Sequence, residues 1–355
     1  MTNIRKSVQA YEDWLAKQLG REIVAKDIAA KREKMRESPF VFLRATYWRW
    51  AETILEACPD LADATPVLAV GDIHLENFGT WRDADGRLVW GVNDFDEAAQ
   101  MPYVLDLVRL AASALLANPS RGGAAAQMCA SVLGGYAEGL KTPRPIVLDR
   151  DWAWLREQLA VSDKQRARFW SKIEEAKRTP APAPYRKALA EAMPEPRLDM
   201  WTARRIAGTG SLGRPRWIGV ADWQGAPVVR ELKVVFASAW TLAHGRASQA
   251  IRCAEIANGR YRARDPWYRH VGNVVVRRLS PNNRKIEAEK GALSLVTPDL
   301  LQAMGLELAN VHLGTSNRGE AIARDLRARK GDWFLANAKQ AATAVMRDFE
   351  DWTAA

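Results

Sequence analysis

The sequence predicts a mixed α+β protein in which a large helical part is joined to a smaller part rich in β-strands. The chain has 355 residues, which is long for one small core and suits two lobes that share an interface. Hydrophobic residues make up 48% of the chain, as expected for a packed globular protein. Short apolar runs typical of strands occur in two regions, and longer amphipathic patterns fill the rest.

Helical patterns dominate the first half of the chain, with two strands between them. Residues 1–58, 103–140 and 151–178 have apolar residues at helical spacing. Residues 66–70 and 88–92 are short apolar runs beside turn residues, and each run predicts a buried strand.

The proline-rich segment 179–184 cannot continue a helix and marks a predicted boundary. Beyond it, residues 217–220, 227–235 and 273–279 have the composition of strands, whereas residues 239–257 favour one helix. We therefore predict three segments along the chain, and these are a helical lobe over residues 1–180, a β-rich lobe over 185–285, and C-terminal helices over 290–355 that return to the helical lobe.

Composition argues against several classes of protein. The formal net charge is +10, but the basic residues are dispersed and show no zinc-finger spacing or RNA-binding signature, so nucleic acid is not the expected partner. The three cysteines are far apart in sequence, which fits a reducing cytoplasm better than a disulfide framework. We see no secretory leader and no apolar run of about 18 residues, so no membrane span is expected.

The loop after the first predicted strand contains an aspartate and an asparagine five residues apart, and a second aspartate follows the next strand. Phosphoryl transfer from a nucleotide needs a carboxylate that orients or deprotonates the acceptor hydroxyl, and oxygen ligands for Mg²⁺. Asp72 would supply the first, and Asn77 with Asp94 would supply the second. Taken singly, Asp72 fits a cap or turn residue equally well, and Asn77 fits a turn residue.

Three motifs in this region resemble those of aminoglycoside-phosphotransferase-like kinases. Gly71–Asn77 is similar to their catalytic loop, Asn93–Asp96 to their metal-binding motif, and Pro102–Leu107 to the segment whose aspartate steadies the loop. The resemblance implies a catalytic role for Asp72, metal binding by Asn77 and Asp94, and supporting roles for Asp96 and Asp106. His74 is expected to pack and hydrogen-bond rather than to act in catalysis.

A glycine-rich motif lies later in the chain. It has the pattern Gly-x-Gly-x-x-Gly, which lets backbone amides approach phosphate oxygens, and it precedes two predicted strands. The nucleotide-binding candidates in this region are Gly208, Gly210, Ser211, Gly213 and Lys233. Lys233 lies in an apolar strand and needs an anionic partner, for which Glu255 is the predicted carboxylate. The alternatives are a flexible loop, a lysine on an exposed edge strand, and a solvent-facing glutamate.

The order of these motifs is unusual for a kinase, because the glycine-rich motif follows the catalytic loop. The segment Gly305–His312 also resembles the Leu-Ala-x-x-His helix that normally leads into a catalytic loop, yet it lies near the C-terminus. The resemblance therefore implies a protein-kinase-like two-lobed fold, with a small mostly β lobe and a larger helical lobe, in circularly permuted order. Permutation is tolerable where chain ends lie close together on the surface.

Most of the chain is also similar to an uncharacterised bacterial family, the domain of unknown function 2252. The shared stretches are Ser38–Phe40 through Arg109–Ser113, then Gly210–Gly213 and the strand of Lys233. This second resemblance implies no established activity.

The expected function is that of an ATP- and Mg²⁺-dependent phosphotransferase with an unidentified acceptor. A kinase-like nucleotidyl (AMP) transferase and a non-catalytic nucleotide-binding module are the alternatives. A metal-dependent hydrolase using Asp72, His74 and Asp94 is a fourth reading. It is disfavoured because the four histidines form no His-x-His or His-x-x-x-His pair.

Overall fold

The computed structural model describes residues 3–118, 124–245, 250–285 and 296–354, which form a mixed α+β structure. Its helices are α1 (Ile4–Leu19), α2 (Ala25–Lys34), α3 (Pro39–Ala45), α4 (Tyr47–Ala57), α5 (Val104–Ala117), α6 (Ala125–Lys141), α7 (Ala153–Gln158), α8 (Asp163–Glu174), α9 (Ala183–Glu191), α10 (Ala239–His244), α11 (Cys253–Ala257), α12 (Pro298–Gly314), α13 (Gly319–Ala328) and α14 (Trp333–Thr353). Its strands are β1 (Pro66–Ala69), β2 (Phe78–Arg82), β3 (Leu88–Val92), β4 (Ala99–Pro102), β5 (Ile146–Val147), β6 (Met200–Arg204), β7 (Arg216–Trp223), β8 (Ala226–Val234), β9 (Arg269–Val271) and β10 (Val274–Leu279).

The strands predicted from sequence are confirmed, with ends shifted by a few residues, as β1, β3, β7, β8 and β10. The single helix predicted for residues 239–257 is wrong. Helix α10 ends at His244 because Gly245, which has low helix propensity, adopts an extended backbone there. Helix α11 begins only at Cys253, and residues 246–249 lie outside the described part of the chain.

The largest sheet is a five-stranded antiparallel one, in the order β6-β7-β8-β10-β9. Side chains alternate between its two faces along each strand. On one face Leu232 packs with Leu15 of α1 and Leu189 of α9. On the other face Ile218 packs with Ile173 of α8. Since Glu231 and Lys233 flank Leu232, their side chains point to the α8 face.

Two small sheets lie beside the loop that carries the predicted catalytic residues. Strands β1 and β4 form an antiparallel pair, and β2, β3 and β5 form a three-stranded sheet. The three-stranded sheet also meets the segment after β10, because Thr80 N donates to Arg284 O at 2.8 Å and Arg284 N donates to Thr80 Oγ1 at 2.8 Å. The segment after β10 therefore joins the large sheet to the neighbourhood of the catalytic loop.

The helical core is built around α5, which is buried along most of its length. Helices α6 and α12 pack closely, and a Cβ added at Gly305 would lie only 2.0 Å from Val132 O. Only glycine permits this approach. The packing places His312, near the end of α12, in the core beneath the catalytic loop.

The first and last helices are neighbours. Arg5 Nη2 donates to Asp351 O and to Trp352 O, both at 3.1 Å. Arg49 of α4 pairs with Asp348 of α14, with Nε and Oδ2 2.7 Å apart. Among the helices of the described residues, none has the length and hydropathy needed to cross a membrane.

Candidate functional site

A cleft of about 350 Å³ opens between the loop that follows β1 and the connection between β6 and β7. The predicted residues that line it are Asp72, His74, Asn77, Asp94, Asp96, Gly208, Gly210 and Ser211. Lys233 lies behind this lining, with its Nζ 2.7 Å from Asp94 Oδ1 although the two residues are 139 positions apart in sequence. The fold therefore brings the early and late motifs to one place.

Asp72 is held by an arginine that the sequence reading did not assign to the site. Arg109 Nη2 donates to Asp72 Oδ1 at 2.5 Å and to Leu43 O at 2.9 Å. The Arg109 side chain is buried, and its guanidinium lies 5.0 Å from the ring centroids of both Tyr47 and Trp50. Burial raises the pKa of Asp72 and the charge of Arg109 opposes that rise. In the sequence, Arg109 is marked only by being a charged residue within the apolar pattern of α5.

Asn77 connects the catalytic loop to the second aspartate. Its Nδ2 donates to Asp72 O at 3.1 Å and to Asp94 O at 3.2 Å. Both bonds use the amide nitrogen, so Oδ1 remains as the atom available to a cation. The side chain is buried, which fixes this orientation.

Two carboxylates share Lys233. Its Nζ is 2.7 Å from Asp94 Oδ1 and 2.5 Å from Asp96 Oδ1, and the side chain of the lysine is only 3% exposed. Burial alone would raise the pKa of Asp94, but the charges of Lys233, Arg277 and Lys285 hold it well below its usual value. Burial and the charge of Asp94 raise the pKa of Asp96. Asp94 is thus the more acidic member of the pair.

The predicted partner of Lys233 has to be corrected. Glu255 pairs with Arg252 three residues earlier, at 2.6 Å, and its side chain is 48% exposed. The carboxylates beside Lys233 are Asp94 and Asp96 instead. The error arose because α10 and α11 do not form the continuous helix on which Glu255 was placed.

Buried anchors on α5 and α12 fix the Gly71–Asn77 loop from below. The carboxylate of Asp106 accepts hydrogen bonds from Val70 N at 2.7 Å and Gly71 N at 2.9 Å. His312 Nε2 lies 2.9 Å from Asp106 Oδ2, and its Nδ1 lies 2.9 Å from the hydroxyl of Tyr136. Asp106 and His312 are fully buried, so these hydrogen bonds satisfy polar groups whose burial without partners would be energetically costly.

His74 organises the turn rather than presenting a titrating group. Its Nδ1 accepts from Glu76 N at 3.1 Å, and its ring meets that of Phe40 edge to face. Burial and the charges of Arg44 and Arg109 lower the pKa of His74 well below its ordinary value. The imidazole is therefore neutral, in keeping with the packing role expected for it.

The glycine-rich connection lies close against the catalytic loop. A Cβ added at Gly210 would be 3.4 Å from Asp72 Oδ2 and 3.1 Å from Arg44 O. Gly210 O accepts a hydrogen bond from Lys31 Nζ at 2.9 Å. Lys31 is buried and lies over the rings of Tyr11 and Trp48. Burial and the charge of Arg214 lower its pKa to about 7.

The last glycine of the motif does not line the cleft. Gly213 has a positive φ of 93° and its carbonyl accepts a hydrogen bond from Val24 N at 3.2 Å. Its role is to attach the end of the glycine-rich connection to α2.

The remaining wall of the cleft is basic. Buried Glu231 has Oε1 3.0 Å from Arg216 Nη1 and 3.1 Å from Arg205 Nη1, and Oε2 2.7 Å from Arg277 Nη2. Burial would raise the pKa of Glu231, but the three guanidinium charges hold it well below its ordinary value. Lys285 lies beside them, and desolvation and Arg277 lower its pKa to about 8.

We call Arg205, Arg216, Arg277 and Lys285 the basic wall, and Asp72, Asn77, Asp94 and Asp96 the carboxylate wall.

The carboxylate wall has donor atoms suited to Mg²⁺. Asn77 Oδ1 and the ionised carboxylate of Asp94 are hard oxygen ligands that face one cleft. In the part of the chain that the structure describes, no three His, Cys, Asp or Glu side chains are grouped to hold a metal ion by themselves. Such a pair suits Mg²⁺ because this ion commonly takes one or two carboxylates and completes its shell with substrate phosphates and water.

Comparisons with known proteins bear on about half of the chain. Residues 21–197 match the model of a family described as "Uncharacterized protein conserved in bacteria (DUF2252)". The matched span contains the carboxylate wall, Arg109 and the 179–184 segment, whereas the glycine-rich connection and the basic wall lie beyond it. No curated protein and no solved structure matches the chain. Over residues 21–197, the chain thus matches the bacterial family DUF2252.

Proposed function

We propose that the cleft binds a nucleoside triphosphate, ATP, together with Mg²⁺ and transfers the terminal phosphoryl group to an acceptor hydroxyl. The observation that carries this proposal is the contact of Lys233 with Asp94, just behind the lining of a cleft that brings Asp94 together with Asp72, Asn77 and the glycine-rich connection. Phosphoryl transfer is catalysed mainly by positioning and by charge stabilisation, and both are available here.

Each wall has a distinct part in this reaction. Asp72, oriented by Arg109, receives the acceptor's proton as the hydroxyl oxygen bonds to the terminal phosphorus, while the bond to the bridging oxygen breaks and the nucleoside diphosphate departs. Lys233 and the amides around Gly210 bind phosphate oxygens. When bound through Asn77 and Asp94, Mg²⁺ would neutralise charge on the donor phosphates.

A circularly permuted kinase-like fold is part of the same proposal. Read from β6 through α14 and then from α1 to β3, the chain has the order glycine-rich connection, strand lysine, helix with His312, catalytic loop and metal motif. The contact of Arg5 with Asp351 and Trp352 supports this reading, because the first and last helices need to be neighbours for such an order.

The experiment is a transfer assay with ATP labelled at the γ-phosphate, run in parallel with ATP labelled at the α-phosphate. A panel of small hydroxyl compounds and water alone serve as acceptors. We expect γ-label transfer that requires Mg²⁺ and falls by roughly 10²–10⁴-fold in Asp72→Asn, while ATP binding by this variant persists. Asp94→Asn should lose Mg²⁺-dependent ATP binding.

Glu255→Gln is the matched control, because it removes an exposed carboxylate outside the cleft. Transfer of α-label would replace phosphoryl transfer with nucleotidyl transfer. Thermal stabilisation by Mg²⁺-ATP without any transfer would favour a binding module. Equal transfer by the wild type and both aspartate variants would remove the assignment of the site.

A further inference from the structure

A second and larger cavity, of about 420 Å³, adjoins the cleft. The two share three lining residues of the basic wall, Arg205, Arg277 and Lys285. Asn93, the neighbour of Asp94, lines the cavity, whereas Asp72 and Asn77 line only the cleft. The cavity therefore extends from the Asp94 side, away from the place where the acceptor would meet Asp72.

The cavity is strongly cationic. Among the residues that the structure describes, its lining includes nine arginines and lysines and a single carboxylate, Asp265. Four of the nine pair with a carboxylate, through Glu231, Glu307 or Asp265. Five have no carboxylate within ion-pair distance among the residues that the structure describes, and these are Arg168, Lys172, Arg264, Arg284 and Lys285. So many like charges around one hollow repel one another unless an anion lies between them.

Two of the four aromatic side chains that line the cavity, Trp81 and Phe95, do not offset this cationic character. The guanidinium of Arg262 lies 4.9 Å from the ring of Trp81 and 4.7 Å from that of Phe95, so both rings already have a cationic partner. Arg262 in turn pairs with Glu307 at 2.7 Å. A hollow with this lining suits phosphate groups better than an uncharged ring system.

The triphosphate itself does not need the four of these cations that lie outside the basic wall, namely Arg168, Lys172, Arg264 and Arg284. The basic wall and Gly210 already line the cleft in which its phosphates would lie, and Lys233 lies behind Asp94 there. A donor bound with its terminal phosphoryl group between Asp72 and Asp94 has its other end directed past Arg277 and Lys285. That end would enter the cationic cavity.

We propose that the cavity binds the end of the donor remote from the transferred group, and that this end carries phosphate beyond the three of a triphosphate. This inference rests on the proposed phosphoryl transfer and replaces ATP as the preferred donor, so that the leaving group is either the shortened polyphosphate or the corresponding nucleoside diphosphate. Two sources share the required chemistry, namely linear inorganic polyphosphate and a nucleoside triphosphate with an additional phosphate on its ribose. The transfer step is unchanged, since only the terminal phosphoanhydride bond breaks.

The test compares four probes in the presence of Mg²⁺, namely ATP, inorganic tripolyphosphate, a longer linear polyphosphate and adenosine 3′-phosphate 5′-triphosphate. Binding is measured by calorimetry and transfer by the assay described above. We expect one of the last two probes to bind at least about tenfold more tightly than ATP, equivalent to about 1.4 kcal/mol. The identity of that probe distinguishes the two sources.

The matched variant is Arg264→Gln with Arg284→Gln, because these two residues line the cavity and not the cleft. It should reduce binding of the preferred probe to the level of ATP and leave ATP binding unchanged. Lys164→Gln with Lys187→Gln, on exposed helix surfaces, is the control for the loss of two positive charges. An equal loss in this control would overturn the inference, because it would indicate a general effect of net charge.

The two proposals can fail separately. Suppose that the γ-phosphoryl group of ATP is transferred, that ATP binds as tightly as every other probe, and that the cavity variant binds all probes like the wild type. The proposed extended donor site is then wrong, and the proposed phosphotransferase activity stands. If none of the probes gives transfer, the proposed function itself fails. Calorimetry then still decides whether the cavity binds phosphate groups, since the Arg264 and Arg284 variant either loses that binding or retains it.

Discussion

The two walls of the cleft face the same ligand space but are stabilised in opposite ways. Residues of the carboxylate wall are held by hydrogen bonds and ion pairs that balance charge, as between Asp72 and Arg109 and between Asp94 and Lys233. In the basic wall one carboxylate, Glu231, serves three guanidinium groups. The first wall is complete within the protein, whereas the second has a surplus of positive charge that an anion would neutralise. Under the proposed function, this contrast assigns the positioning of reacting groups to the carboxylate wall and the binding of an anion to the basic wall.

The largest expected effect comes from removing the negative charge of Glu231, which pairs with three arginines of the basic wall. Glu231→Gln should lower the free energy of unfolding by about 3–5 kcal/mol, because it leaves buried guanidinium groups without their carboxylate. Urea unfolding followed by circular dichroism measures the change. Added phosphate should stabilise this variant more than the wild type, since an external anion replaces the lost charge. Identical responses to phosphate would show that the wall does not bind anions.

The carboxylate wall should be weakened less by a change in its anchor. Asp106→Asn keeps the shape of the side chain but replaces one acceptor oxygen, so that Val70 N or Gly71 N loses its partner. We expect a loss of roughly 1–3 kcal/mol in the free energy of unfolding. Phosphate should give no extra stabilisation here, in contrast to Glu231→Gln. A variant as stable as the wild type would contradict the role of Asp106 as the anchor.

Lys31 of α2, which donates a hydrogen bond to Gly210 in the glycine-rich connection, should make the stability of the protein depend on pH. Its pKa falls from 10.5 in the unfolded chain to about 7 in the folded protein, so the folded state binds the proton less tightly. Its contribution to stability is therefore present above pH 10.5 and is lost as the pH falls toward 7. Relative to Lys31→Met, the wild type should become less stable by at most about 1.4 kcal/mol per pH unit between pH 10 and pH 7. Thermal unfolding of both proteins at each pH measures this difference. A difference in unfolding free energy that stays constant between pH 10 and pH 7 would refute the prediction.

The smallest effect is expected at Glu255, which lies outside both walls. Its ion pair with Arg252 is partly exposed on a short helix, and such pairs contribute about 0–1 kcal/mol. Glu255→Gln should therefore change neither the denaturation midpoint nor ATP binding measurably. A large loss of nucleotide binding would show that Glu255 does belong to the nucleotide-binding site.

The features of this protein that depend on local pattern could be predicted from the amino-acid sequence. Alternating and apolar runs located β1, β3, β7, β8 and β10, and the spacing of Asp72, Asn77 and Asp94 located the carboxylate wall. Both signals are local, because strand patterning and loop motifs are encoded within a few neighbouring residues. The helix predicted over residues 239–257 failed at Gly245 for the same reason, since periodicity was followed across a residue that favours an extended backbone.

Contacts between charged residues far apart in the sequence could be seen only in the folded protein. The pairing of Lys233 with Asp94 and Asp96, the position of Arg109 beside Asp72, and the convergence of three arginines on Glu231 each join separate elements. Sequence spacing carries no information about such contacts, because strand order and helix packing determine which side chains share one low-dielectric space. The same packing placed a cationic cavity beside the cleft, a feature that dispersed arginines and lysines did not reveal in the chain.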